Sequence, residues 1–221
     1  MDVRTIREIK VLLPSTELDL TATDQPPARG DLIGLEARDT DWSRLQLIKR
    51  RLIDCRLHTV TLDGLQLEDT RVGNTTFTDC DLSSNRWNTV KIDRCVFTGS
   101  RLIGLQASGI TMADVVFERC RLDYATLTAI QATGSVAFID CTLRETIIED
   151  SRLDGIVLAD CPMPGTQLTR TRLRDADLRG SNIETLTGTA NLTGATLSED
   201  QIPQLTQAYL EELQLTIEDS V

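Results

Sequence analysis

A chain of 221 residues with 34 acidic and 23 basic side chains has a formal net charge of −11; 40% of its residues are apolar and only 4% aromatic. This is enough apolar content for a buried core, yet no stretch approaches a membrane span, and the charged start (Asp2, Arg4, Arg7, Glu8, Lys10) does not read as a secretory signal, so a soluble cytoplasmic protein is expected. A single histidine, His58, and the scarcity of aromatics argue against histidine-based catalysis and against a nucleic-acid surface of interleaved basic and aromatic residues.

Residues 1–41 form the first segment, an N-terminal arm or cap with nine acids and five bases (−4). A moderately apolar piece from residue 6 to 20 leads into Asp24, Pro26, Pro27 and Gly30, which read as a turn or linker. The arm is expected to cover the start of the second segment or to lie along its length.

Residues 42–197 are the second segment, and an apolar residue returns there every fifth position. The series runs Leu47, Leu52, Leu57, Leu62, Leu67, Val72, Phe77, Leu82, Trp87, Ile92, Phe97, Leu102, Ala107, Met112, Phe117, Leu122 and Leu127. It slips by one residue near Gly134 and Ser135, resumes at Phe138 and Leu143, and slips back between Ile183 and Leu192. With the apolar centre labelled i, position i−2 is small or apolar (Cys55, Val60, Thr75, Cys80, Ser100), and positions i−1 and i+1 are polar (Arg56, Arg71, Asp81, Arg101). Residues two apart on an extended backbone point the same way, so i−2 and i face one interior. Position i+2 is rich in turn formers such as Gly64, Asn74 and Gly99. Period five matches neither a helix nor a long alternating strand, and predicts an all-β solenoid of short straight segments.

Two repeats, Ala176-Asp177-Leu178-Arg179-Gly180 and Ala190-Asn191-Leu192-Thr193-Gly194, carry the pattern A(D/N)LXX nearly verbatim. In them, and in the length of the array, the chain resembles the pentapeptide-repeat proteins. The resemblance implies a right-handed quadrilateral β-helix with twenty residues per coil. At that pitch the repeat predicts about eight coils, and such a stack needs caps at its ends.

All six cysteines, Cys55, Cys80, Cys95, Cys120, Cys141 and Cys161, occupy position i−2 and read as small buried fillers with free thiols. Two inward exceptions stand out: Arg50 is expected to meet the N-terminal arm, and Asn85 to hydrogen-bond along the stack.

The third segment, residues 198–221, holds six acids and no base (−6) and starts with Ser198-Glu199-Asp200-Gln201, a helix-start pattern. Ile202, Leu205, Tyr209 and Leu213 then predict a C-terminal capping α-helix of about a dozen residues. Leu215 and Ile217 come after it. These six residues either tuck the tail onto the helix or make a symmetric homodimer contact.

No zinc spacing, phosphate loop or nucleophile–base pairing is present, so the expectation is no enzyme, no cofactor and no metal. Two functions compete. The resemblance implies that some family members mimic duplex DNA, bind DNA gyrase or topoisomerase IV and protect against quinolones or toxins. The charge places −10 on the two ends and only −1 on the repeat body, which is unlike a phosphate-backbone copy. The other function is a scaffold for protein partners. Four-sided stacking would align Val96, Val116, Ala137 and Val157 at outward i−1 positions, with Ile139 beside them, as an apolar stripe. Either the N-terminal arm or self-association covers that stripe, or it is a partner groove. Direct nucleic-acid and membrane binding are not expected.

Overall fold

The computed structural model describes residues 2–214. From Arg44 to Ala129 a left-handed backbone conformation recurs at every fifth residue, on glycines and also on Arg94, Arg119, Tyr124 and Ala129. Each such residue turns a corner, and the three-residue segments between corners pair laterally. Four parallel ladders result within each twenty residues: Asp41 with Thr61, Gln46 with Gln66, Arg51 with Arg71, and Arg56 with Thr76. The coil is therefore four-sided. One side is a seven-stranded parallel sheet running from Gln46–Ile48 to Gln167–Thr169, about seven turns where eight were expected. Two other sides merge into an eleven-stranded sheet.

The register reports both slips. Pairs below the first slip are offset by 20, as in Thr111 with Gln131, and pairs spanning it by 21, as in Val115 with Val136. The extra residue lies among Thr133, Gly134 and Ser135; a Cβ on Gly134 would lie 3.0 Å from the Ala113 Cβ, so a larger residue at the bulge would have to push that neighbour aside. Near the second slip a short 3-10 turn, Thr189–Leu192, takes the place of a straight side, and the offset falls to 19 between Asp177 and Thr196.

The stack starts earlier than the repeat pattern. Leu32 and Ala37 are buried in the core, in register with Leu52 and Leu57. Trp42 is covered by the preceding loop, donating from Nε1 to the Asp24 carbonyl at 3.0 Å. Arg50 meets that loop at the carbonyls of Gly30 and Pro27.

The core is a column of centres, with Phe77, Phe97, Phe117 and Phe138 stacked at centroid distances of 4.5, 4.7 and 4.6 Å, close to the strand spacing. Beside it the i−2 residues do more than fill space. The Ser100 hydroxyl accepts from Cys80 N–H in the preceding coil at 3.1 Å and donates to the Phe77 carbonyl at 3.3 Å. Ser181 does the same between Cys161 N–H and the Leu158 carbonyl, at 2.9 and 2.8 Å. The Cys80 and Cys120 thiols donate to the Leu57 and Phe97 carbonyls. Asn85 Oδ1 accepts from Leu65 N–H at 2.9 Å. Where position i−2 carries a hydroxyl, thiol or amide, as in these residues, that group bonds backbone groups of the stack; elsewhere, as at Val60 and Ala125, it only fills the core.

Candidate partner surfaces

The N-terminal arm folds into a hairpin of β1 (Val3–Ile6) and β2 (Ile9–Leu12). Its register pairs Arg4 with Val11 and Ile6 with Ile9, which puts these four side chains on one side. That side lies on the valine stripe: Ile6 and Val11 pack with Val116, Ala137, Val157 and Ala159, flanked by Ile9, Leu13, Val96 and Ile139. Val116 and Ala137 are fully buried and Val157 is 2% exposed. The stripe of Val96, Val116, Ala137, Ile139 and Val157 is thus not an open face; the chain's own hairpin occupies it.

Polar contacts hold the hairpin's margins. Arg4 pairs with Glu118 at 2.6 Å and Arg7 with Asp160 at 3.6 Å, and Leu12 N–H donates to Asp114 Oδ1 at 3.0 Å. Lower down, Ser15 N–H donates to Asn74 Oδ1 at 2.7 Å, and Arg56 reaches the carbonyls of Ser15 and Thr16. The hydrogen bond from Arg4 holds the Glu118 carboxyl below its usual range, opposed by burial and helped by the nearby Arg119.

At the other end a 3-10 turn, Glu199–Gln201, leads into α1 (Ile202–Leu213). Gln201 Oε1 accepts from Ser198 N–H at 2.8 Å, while its Nε2 donates to the carbonyls of Leu178 and Ser181 at 2.9 and 2.6 Å. Glu212 accepts from the N–H groups of Gly188 and Thr189 and from the Thr189 hydroxyl. The helix therefore closes the last coil with polar side chains as well as with Leu205 and Ala208. Leu205, expected among the dimer contacts, packs instead on the core, because it shares the inward side of the helix with Ala208 and Glu212. Ile202, Tyr209 and Leu213 are 61, 52 and 48% exposed. Their spacings of seven and four residues align them on one side of the helix. Leu215 and Ile217 lie outside the described residues.

Several acidic groups along the rod have basic partners. Arg71 pairs with Asp93, Arg121 with Asp123, Arg170 with Asp150, Arg172 with Asp154 and Arg179 with Asp177. Hydrogen bonds from these arginines hold Asp150, Asp154 and Asp177 below the ordinary carboxylate range. Burial pushes the thiols of Cys55 and Cys80 up to about 11 and that of Cys95 to about 12. Among the described residues no group of three His, Cys, Asp or Glu side chains is arranged to hold a metal, and no helix is long and apolar enough to cross a membrane.

The hairpin was hidden from sequence reasoning. Its turn, Arg7-Glu8, places Arg7 at φ 53° without the asparagine or glycine that advertises such a bend. The alternation of Ile9, Val11 and Leu13 with charged or outward residues was the available signal.

The family model described as Pentapeptide repeats (8 copies) matches residues 151–184. No curated protein matches the chain. Among solved structures it is similar to HetL, a pentapeptide repeat protein involved in heterocyst differentiation regulation from the cyanobacterium Nostoc sp. Strain PCC 7120, at 14% identity over 72% of this chain and 90% of that one, with a TM-score of 0.48. It is also similar to a trypsin-treated form of QnrB1, a plasmid-mediated fluoroquinolone resistance protein, at 15% identity over 92% of this chain and all of that one, with a TM-score of 0.40.

Proposed function

The chain is a pentapeptide-repeat protein, and on that premise we propose that it is a non-catalytic protein-binding scaffold that assembles as a homodimer through the outward side of α1. The observation that carries this reading is the alignment of Ile202, Tyr209 and Leu213, each about half exposed or more, on one side of a helix whose adjoining side is committed to the last coil. Three large apolar side chains in a row on a terminal cap are what an isologous contact uses, each helix meeting its symmetry mate. Light scattering on the purified full chain tests it: the expected mass is twice that of the chain, and Tyr209→Glu returns it to the monomer. A monomer at every concentration sinks the dimer.

A second reading, binding of DNA gyrase or topoisomerase IV as a DNA mimic, is favoured by one feature. Residues 198–221 hold six acids and no base, and a dimer through α1 doubles that charge at its centre. The paired arginines and aspartates along the rod weigh against it, since they neutralise the sides that would copy a phosphate backbone. Titration into a gyrase supercoiling reaction, with and without a fluoroquinolone, separates the readings: inhibition or drug protection supports mimicry, and no effect leaves the scaffold.

A further inference from the structure

The hairpin of β1 and β2 is attached to the rod in an unusual way. It forms a two-stranded sheet of its own and shares no ladder with the solenoid. Among the described residues the first backbone-to-backbone bond between the N-terminal segment and the coils is Thr21 N–H to the Gly34 carbonyl, at 2.8 Å. Everything before Thr21 is held by side chains: the Ile6 and Val11 cluster, two ion pairs, and the contacts of Asp114, Asn74 and Arg56. The segment can leave the rod without breaking one rung of the solenoid.

Leaving uncovers Val116, Ala137, Val157 and Ala159, a contiguous apolar column that is at most 5% exposed when covered. Water is a poor substitute for the hairpin there. The column is flanked by Asp114, Glu118 and Asp160, so it fits a β-hairpin with aliphatic side chains on one side and arginines at the spacing of Arg4 and Arg7. One chain known to carry that combination is a second copy of this one. Residues 13–20, drawn out, reach about 26 Å, which is the span available to carry the hairpin to a neighbouring rod.

We propose that the N-terminal hairpin is exchangeable between copies, docking either on its own rod or reciprocally on the stripe of a second. The contacts of the hairpin with the stripe are the same in the two arrangements, whereas those of Ser15 and Thr16 with Asn74 and Arg56 lie in the linker and are given up on exchange. Tethering and these linker contacts favour the closed monomer, and concentration favours exchange. The contact is separate from the side of α1 and does not depend on it.

Two full-length variants test this. In one, Val116→Lys and Val157→Lys block the stripe and leave a free hairpin; both positions point outward, so the solenoid core is untouched. In the other, Ile6→Lys and Val11→Lys disable the hairpin and leave an open stripe. One carries an affinity tag, and the two are mixed after circular dichroism and thermal melting confirm that each is folded. Co-purification in a one-to-one ratio is the expected result, with at least a tenfold excess over a control in which tagged and untagged copies of the same variant are mixed. Both variants and the control also carry Tyr209→Glu, which removes association through α1. Recovery no greater than the control overturns the proposal. If the lysine variants do not fold, the threonine versions of the same four substitutions replace them, and the same comparison decides.

Discussion

Arg4 Nη1 donates to Glu118 Oε2 at 2.6 Å across 114 residues of sequence, tying the start of the chain to a coil near the middle of the stack. In a solenoid each coil touches only its neighbours, and opening can begin at any interface. The hairpin and the segment behind it cross from Arg56 to Asp160 and so join coils that are not neighbours. They also straddle the bulge at Gly134, where the ladder changes register.

Acid should loosen this tie. The folded Glu118 carboxyl titrates below its ordinary value of 4.5, chiefly through the hydrogen bond from Arg4. Because the folded value is the lower one, the contribution is complete above pH 4.5 and is lost as pH falls through the folded value. Amide exchange of residues 3–12 is expected to speed up in that acid range before the rest of the chain responds. Glu118→Gln should give faster exchange at neutral pH and remove the acid step.

The corners make a second test. Gly104 has φ 67° and open space around a built Cβ, so Gly104→Ala meets only the left-handed backbone cost, about 1 kcal/mol. At Gly188 a Cβ would sit well inside contact distance of the Leu168 carbonyl oxygen. Gly188→Ala is therefore expected to cost more than Gly104→Ala. Ala129→Gly should be neutral or slightly stabilising, since Ala129 holds φ 54°, a conformation that glycine adopts without steric cost. Urea unfolding of the three variants gives the order directly.

The buried hydroxyl and thiol ladder predicts an unusual tolerance. Ser181→Ala leaves Cys161 N–H without its acceptor in the core and should cost about 1–3 kcal/mol, whereas Ser181→Cys keeps a donor and acceptor of similar size and should cost less. Thermal melting of the pair decides whether the position needs hydrogen bonding or only a small volume.

The thiols themselves should be inert while the chain is folded. Cys55, Cys80 and Cys95 are buried and their ionisation is pushed up to about 11 or 12, so little thiolate is present at pH 8. A chromogenic disulfide reagent is expected to react with six thiols in denaturant and with almost none without it. Fast labelling of even one native thiol would mean that its coil opens.

The periodicity carried most of this fold: five-residue centres from Leu47 onward fix the inward column, both slips, and the sites of the corners. The ends were less legible. Leu32 and Ala37 join the core because they pair with Leu52 and Leu57, although the residues between them do not repeat. The valine stripe stood out as an anomaly of the pattern, and the N-terminal arm was one of its possible covers; the choice between the arm, self-association and a partner could not be read, because the hairpin reaches the stripe through space from far away in sequence. Likewise Leu205 and Tyr209 look alike as helix residues, and only the direction in which the last coil lies separates the buried one from the exposed one.

The phenylalanine column has an optical consequence. Its rings are nearly parallel and in van der Waals contact, and the Trp87 ring sits 6.2 Å from that of Phe97. Excitation absorbed by any of the four rings can pass along the stack and end on the indole, whose absorption overlaps phenylalanine emission. The excitation spectrum of the native chain's tryptophan emission should therefore carry the fine-structured bands of phenylalanine on top of the indole's own absorption. Separation of the coils between Trp87 and Phe138 would return emission at the shorter phenylalanine wavelength, giving an unlabelled read-out of whether the middle of the rod is shut.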